Sequence, residues 1–270
     1  MASAAGDSGS AGANDAARDE FHLLGKLLRI TRDGEIPPSN PFQGAGTARC
    51  NVSGETDPGN RCQETFAWGF RNPFRFATDP NAAGTRVFVN DVGQGAREEV
   101  DEVVSGADFG WNCREGTRVN STTGRCSPTP PGMSDPFFEY PHGPSAVPGT
   151  SITGCNSITG GAFVPNGVWP ADYDGTYLLA DYVCGAVFRI PATGGPVASA
   201  TTFVSGLGGS SATSLLFGPY ESTQALYYTS YADGGQVRRL RYTPPGANQP
   251  PTAVLGAAPA SGPAPLTVTF

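Results

Sequence analysis

The amino-acid sequence predicts an all-β protein made of propeller blades, about three and a half of them by repeat count. Two observations carry this expectation. The 270-residue chain holds 37 Gly and 25 Pro, and only 15% of it is charged. Short strands punctuated by many turns require that balance, whereas helical bundles are richer in Glu, Lys, Ala and Leu. The second observation is an internal repeat. Val87–Gly95, Tyr177–Gly185 and Leu226–Gly234 each read as a hydrophobic strand, then Asp or Ser, then three residues and Gly. A further strand follows each one, at Arg97–Val104, Ala186–Ile190 and Gln236–Tyr242, and an earlier strand precedes it, at Ala67–Ala77, Ser157–Val164 and Ala212–Phe217. The unit is roughly 45–50 residues, the size of a four-stranded blade.

The remaining elements follow in order. Residues 1–18 are mostly small and polar. Asp7–Ser10 with Asn14–Asp15 is compatible with a loose calcium site, but its composition is chiefly that of disorder. Leu23–Ile30 is apolar and ends in Thr31-Arg32-Asp33-Gly34, which predicts a strand running into a hairpin. Residues 36–63, dense in Pro, Gly and Cys, read as a long surface loop. The propeller portion is assigned to 1–243. Residues 244–251 form a stiff Pro-rich linker. Residues 252–270, with Ser261-Gly262-Pro263-Ala264-Pro265-Leu266-Thr267-Val268-Thr269-Phe270, resemble the start of an immunoglobulin-like PKD domain, of which only the first strand is expected here. A partial ring and a partial tail are what a piece cut at both ends would have.

Charge and cysteine usage narrow the function. A net charge of −7 disfavours a phosphate-tracking surface, so no nucleic-acid partner is expected. No apolar run reaches membrane-span length. The six cysteines fall into the close pairs Cys50/Cys62, Cys113/Cys126 and Cys155/Cys184, the preferred among several connectivities. None has the CxxC spacing of a zinc site. Disulfides imply an oxidising compartment, and secretion is expected even though Met1–Ala4 opens no signal-peptide pattern. Asn51-Val52-Ser53 and Asn120-Ser121-Thr122 are glycosylation sequons, meaningful only in a eukaryotic secretory pathway.

Several stretches, in order and spacing, carry a family resemblance over roughly residues 20–243. They are Leu24–Ile30 with Asp33-Gly34 and Asn40-Pro41-Phe42, then Gly69-Phe70-Arg71-Asn72-Pro73, and Asn90-Asp91-Val92-Gly93-Gln94 with Glu98-Glu99-Val100 and Asp108-Phe109-Gly110-Trp111. Ser157–Gly161 and Tyr177–Tyr182 follow. The set resembles the PQQ-dependent sugar dehydrogenase (glucose/sorbosone dehydrogenase) family. The resemblance implies a partial six-bladed β-propeller and a secreted quinoprotein that oxidises an aldose or related sugar with PQQ and Ca²⁺, passing electrons to an external acceptor. It implies cofactor contacts from Arg71, a fixed cation with a planar donor fork, and from Asn72, a neutral donor. Gly93 and Gln94 would offer backbone carbonyls to calcium, since hard cations take oxygen ligands. Glu99 matches a position tied to a further calcium site in some members.

Each position also has a plainer reading. Arg71 suits a loop carboxylate, Asn72 a turn before Pro73, and Asp91 and Asp181, in phase with Ser230, suit turn capping. Of the two histidines, His142 is the candidate general base, because sugar oxidation needs a proton acceptor near neutral pH. The family's own base lies in an earlier blade, so this portion alone is expected to be inactive. His22 reads as structural. One departure counts against the cofactor: Val164–Gly167 and Asp181–Cys184 carry no Lys or Arg where the family places basic residues. The alternative is a non-catalytic glycan- or protein-binding propeller joined to a PKD spacer. A glycoside hydrolase lacks a convincing carboxylate pair.

Overall fold

A computed structural model describes residues 2–5 and 15–244. The first sheet contains β1 (Ala2–Ala5) and β2 (Lys26–Arg29). A small ribbon of β3 (Thr47–Ala48) and β4 (Arg61–Cys62) interrupts the chain before β5 (Thr65–Trp68) completes that sheet in the order β1-β2-β5. The second sheet has the order β11-β8-β7-β6. It is built from β6 (Pro73–Thr78), β7 (Val87–Asp91) and β8 (Arg97–Glu102), then the two-residue strands β9 (Arg114–Glu115) and β10 (Arg118–Val119) as a side ribbon, and β11 (Phe138–Pro141). The third sheet runs β12 (Ile158–Phe163), β13 (Thr176–Asp181), β14 (Ala186–Pro191), β15 (Thr201–Val204) in chain order. The fourth is β16 (Leu215–Tyr220), β17 (Thr223–Ser230), β18 (Gln236–Leu240). The four sheets are antiparallel throughout.

Successive sheets bury one core between each neighbouring pair. Leu27, Ala67, Phe70, Val87 and Val89 fill the first seam. Phe88, Phe163, Tyr177, Leu179 and Phe188 fill the second, and Leu178, Ala180, Val187, Leu226 and Tyr228 the third. Strand alternation explains the sorting, because successive side chains point to opposite faces. On β13, Tyr177 and Leu179 face the second sheet while Leu178 and Ala180 face the fourth. The continuous apolar run at 177–180 is therefore a strand buried on both faces.

The repeat aligned the right strands. Asp91 pairs with Glu99, Asp181 with Ala186 and Ser230 with Gln236, so the three hairpins are in phase. Two local expectations are corrected. Residues 67–77 do not form one strand. Gly69 takes a left-handed φ of 77°, and the chain passes between sheets at 69–72, dividing β5 from β6. The turn at 31–34 exists, with Gly34 at φ 85° and the Gly34 N–H on the Thr31 carbonyl. Yet β2 makes no local hairpin. It pairs with β5 across the 36–63 loop, because Leu27 and Ala67 must meet in the same core. Residues 7–10 and Asn14, most of the linker and the PKD-like segment lie outside the described residues. The chain divides into two units, Met1–Leu240 and Arg241–Phe270.

All six cysteines are paired, as Cys50–Cys62, Cys113–Cys126 and Cys155–Cys184, in agreement with the preferred connectivity. Fully buried Lys26 donates to the carbonyls of Ala16, Ala17 and Leu24 at 2.7–3.2 Å and fastens the N-terminal 3₁₀ turn. Arg18, the last residue of this turn, forms a buried two-pronged ion pair with Asp108, at 2.5 and 2.8 Å.

Inner strand β12 packs against both β6 and β16. Gly160 and Gly161 permit this closeness, since a Cβ on Gly161 would lie 1.8 Å from the Tyr177 hydroxyl and 2.8 Å from Asn90 Nδ2. That hydroxyl donates to Asn90 Oδ1, and the Asn90 amide donates to the Thr159 and Gly160 carbonyls. Gly161→Ala is expected to cost about 2–3 kcal/mol through this overpacking. Tyr177→Phe removes the obstructing oxygen, so the same change should cost less in that background. Urea unfolding of the four proteins of this cycle measures the coupling.

Candidate functional site

The end of the second sheet where β6 begins and β7 ends gathers most of the chemically notable residues. Asp91, the last residue of β7, is buried, and its two carboxylate oxygens accept the N–H groups of Arg71 (2.9 Å) and Asn72 (2.6 Å). Val92 N–H in turn donates to the Asn72 carbonyl at 3.0 Å. The Arg71 guanidinium returns the contact, Nη1 donating to the carbonyls of Val92 (2.9 Å) and Gly93 (2.6 Å). It also lies 5.9 Å from the Trp111 ring centroid. The sheet-crossing turn and the 91–94 loop are thus one hydrogen-bonded unit. Burial, above all, pushes the Asp91 carboxyl up to about 7, with the two N–H donors working against that shift.

A second carboxylate shapes the loop from the other side. Glu115 Oε1 accepts four successive backbone N–H groups, from Gln94, Gly95, Ala96 and Arg97, at 2.7–3.1 Å. Its burial opposes ionisation, but these donors prevail and hold the carboxyl below its ordinary value. Gly93 is required here, because a Cβ would fall 1.6 Å from the Arg97 carbonyl oxygen.

Sheet alternation puts Glu99 and Asp101 on the same face of the second sheet as Asp91, toward the first sheet. Register places Glu99 opposite Asp91 and Asp101 opposite Val89. Glu99 accepts the Gly116 N–H at 2.7 Å. Asp101 is fully buried, and neither of its carboxylate oxygens has a hydrogen-bond partner among the described residues. Burial first, and then mutual repulsion among Asp91, Glu99 and Asp101, drives both carboxyls well above the carboxylate range. An unpartnered buried carboxylate beside another is a donor set suited to a hard cation. Glu99 and Asp101 are thus oxygen donors of the kind a hard cation takes, set on one face of a single strand. The Gly93 carbonyl, by contrast, already receives Arg71, while the Gln94 contact with Glu115 is made by its N–H and not by its carbonyl.

On the opposite face, buried Glu98 contacts His142 Nε2 with one oxygen and accepts the Ile158 N–H at 2.8 Å with the other. The backbone N–H of His142 donates to the Ala96 carbonyl at 3.1 Å, so this histidine abuts the same 94–97 turn. Burial works against charge on His142, but Glu98 outweighs it and its pKa stands above the ordinary value. Glu98 is pushed up to about 7, mainly by burial.

The third sheet repeats the Asp91 arrangement. Asp181 accepts the N–H groups of Ser157, Val183 and Cys184 and the Tyr140 hydroxyl, at 2.8–3.0 Å. It also sits beside Cys155 and Cys184, but their sulfurs are joined to each other. In the fourth sheet Ser230 occupies the position and accepts the Ala232 N–H at 3.2 Å.

The sequence profile of the glucose/sorbosone dehydrogenase family matches residues 2–165. The chain belongs to this family. HIPL2 protein of Arabidopsis thaliana is 31% identical over 191 residues, covering 64% of this chain and 25% of that protein. Aldose sugar dehydrogenase YliI of Escherichia coli is 30% identical over 95 residues, covering 35% and 22%. Among solved structures, the PQQ-bound aldose sugar dehydrogenase of Streptomyces coelicolor superposes with a TM-score of 0.57 at 23% identity, covering 88% of this chain and 56% of that one. A putative oxidoreductase (glucose dehydrogenase) of Thermus thermophilus gives 0.61 at 25% identity, covering 88% and 61%. The chain thus spans about a quarter of these curated relatives and under two thirds of these structures. The all-β, propeller-like fold of the family is shared.

Of the residues singled out from sequence, Arg71, Asn72, Gly93 and Gln94 fall in one loop cluster with Asp91. Glu99 lies beneath it, and His142 adjoins it through Ala96. Asp101 and Glu115 escaped sequence reasoning. The alternation of Glu99 with Asp101 on a strand was the available signal for Asp101.

The titration of Asp101 has a stability consequence. A carboxyl whose folded pKa is raised keeps its proton longer in the folded state than in the unfolded chain. Stability from this group is therefore full below about pH 3.9 and is lost as pH rises through the folded value. In calcium-free buffer, Asp101→Asn should stabilise the chain more at pH 7 than at pH 4. Urea midpoints at the two pH values check this, and an equal effect at both contradicts it.

Proposed function

We propose that this chain is part of a secreted quinoprotein that oxidises an aldose or a related sugar, with PQQ and calcium, and delivers the electrons to an external acceptor. The observation that carries this reading is the Arg71–Asn72 turn, held open-handed by Asp91 at the end of the second sheet. The Arg71 guanidinium is fixed by the Val92 and Gly93 carbonyls, and the Asn72 side-chain amide makes no hydrogen bond among the described residues. A pre-positioned cation beside an available neutral donor suits one carboxylate or carbonyl edge of a quinone. PQQ, when bound, supplies the two-electron acceptor for the sugar's hydride. In this reading Arg71 and Asn72 orient the cofactor, Glu99 and Asp101 hold calcium and stiffen the seam beneath it, and His142 is a candidate acceptor of the hydroxyl proton only in a longer protein whose earlier blades complete the sugar site. The Gly93 and Gln94 carbonyls remain the alternative calcium ligands implied by family resemblance, at the expense of the Arg71 contact. The three disulfides support an oxidising compartment. No helix among the described residues is long and apolar enough to cross a membrane.

A non-catalytic, glycan- or protein-binding role has one observation in its favour. Acids outnumber cations around the Arg71 turn, and the 164–167 and 181–184 turns carry no basic residue.

Three measurements decide between these readings. The first is PQQ uptake by the chain with CaCl₂, followed by absorbance. Arg71→Ala should weaken it about tenfold or more, the loss of charge-assisted hydrogen bonds. The second is dye reduction with a panel of aldoses, by this chain and by a longer protein containing it. The chain alone should take up PQQ yet remain inactive. No uptake at saturating PQQ would sink the enzyme reading. The third is thermal melting against CaCl₂. Calcium should raise the wild-type midpoint through preferential binding to the folded state, and Asp101→Asn should abolish the shift.

A further inference from the structure

Away from the Arg71 turn, the described residues line a concave site with an uncommitted charge. A cavity of about 430 Å³ is lined by Arg75 of β6 together with Thr213, Ser214, Gln236 and Tyr231 of the fourth sheet and its approaches, with Val237 at the rim. Arg75 belongs to the second sheet, yet every other wall residue comes from the fourth or the segments leading into it. The intervening strand β12 makes that span feasible, because Gly160 and Gly161 place no side chain between β6 and β16.

Arg75 is half-buried. Among the described residues its one side-chain hydrogen bond goes from Nη1 to the carbonyl of its own neighbour Phe74, at 2.9 Å, and its guanidinium lies 4.3 Å from the Phe74 ring centroid. It forms no ion pair with any of them, whereas buried Arg18 and half-buried Arg49, Arg86, Arg97 and Arg114 each face a carboxylate. No acidic residue lines the cavity among the described residues. The rest of its surface offers neutral hydrogen-bonding groups. Thr213 and Thr229 share a bond at 2.7 Å, the Ser214 hydroxyl makes none among the described residues, and the Gln236 carbonyl oxygen accepts Arg238 Nε at 2.7 Å. Tyr231, 69% exposed, presents its ring at the mouth.

We propose that this cavity is a binding subsite for the carboxylate of a small organic anion, with Arg75 as its cationic anchor. A planar guanidinium fork matches a carboxylate in two parallel bonds, and the surrounding hydroxyls and amide complete the coordination without adding charge. One cation in a protein of net charge −7 favours a singly charged group over a phosphate dianion. Such a carboxylate has two sources, an acidic sugar, whose hydroxylated ring would lie against Tyr231, or the quinone cofactor itself. The subsite does not depend on the oxidation proposed above, because the sugar-acid arm of its test is read without PQQ.

The test is calorimetric titration of the 270-residue chain with D-glucuronate, D-glucose, inorganic phosphate and PQQ, repeated with Arg75→Gln and Arg75→Lys. Circular dichroism and the melting midpoint check that each variant is folded. Glucuronate binding that glucose does not match, weakened about tenfold or more by Arg75→Gln and partly restored by Arg75→Lys, supports the subsite with an acidic sugar as its source. A comparable loss seen for PQQ alone supports it with the cofactor as its source. The proposal is overturned if wild-type protein binds neither, if Arg75→Gln leaves both affinities unchanged, or if phosphate binds more tightly than either carboxylate.

Discussion

The clamp of Asp91 on the Arg71 and Asn72 N–H groups is the constraint from which the second sheet and its site take their form. At Gly69–Asn72 the chain abandons the first sheet and starts the second, so the part-buried N–H groups of Arg71 and Asn72 lose their strand partners. A buried donor without an acceptor costs about 1–3 kcal/mol, and Asp91 supplies two acceptors at once. The cost moves to the carboxylate, whose ionisation burial resists. That cost is reduced by the same hydrogen bonds, which favour the charged form. Asp181 solves the same problem where the chain enters the third sheet at Ser157, and there it also holds the Tyr140 hydroxyl of the second sheet. The repeat is therefore more than a pattern of apolar residues. It repeats a way of satisfying the backbone where the chain enters the second and third sheets.

Structure and proposed chemistry share these residues. Asp91 sets the Arg71 turn, and the Arg71 side chain fastens the 92–93 carbonyls, so the cation is presented in one orientation before any ligand arrives. Pre-organisation of this kind lowers the entropy lost on binding. Glu115 does the equivalent for the 94–97 backbone. Its own loop is closed by the Cys113–Cys126 disulfide, which couples the order of that side ribbon to the order of the site. Asp101 is the exception to this thrift. With both oxygens buried and unpartnered among the described residues, it is the least settled group of the first seam, and a cation is the partner its chemistry calls for.

Much of the site was legible in sequence because its members lie in short, contiguous motifs. Arg71 and Asn72 adjoin Pro73, and Gly93 and Gln94 follow Asp91, so resemblance and turn chemistry both drew attention to them. Glu115, Asp101 and Arg75 were not legible in this way. Glu115 reaches back some twenty positions to a backbone it does not adjoin. Asp101 matters only because its strand face is closed by another sheet. Arg75 reads as an ordinary strand residue until the fourth sheet is brought around it. The segment 67–77 reads as one strand because aromatic residues flank Gly69 and the Asn72-Pro73 pair on both sides. Nothing local states that the hydrogen-bonding partner changes at Gly69.

The sequence by itself determined the class of structure, the three in-phase hairpins and the pairing preference of the cysteines. Each of these depends on local periodicity, turn residues or short separations, which a linear chain displays directly. Only the tertiary structure decided which sheet β2 and β6 join, which carboxylates are buried together and that Arg75 faces a cavity rather than an acid. Those outcomes depend on which faces of different sheets are pressed together, and burial is what turns an ordinary carboxyl or guanidinium into a group that demands a partner.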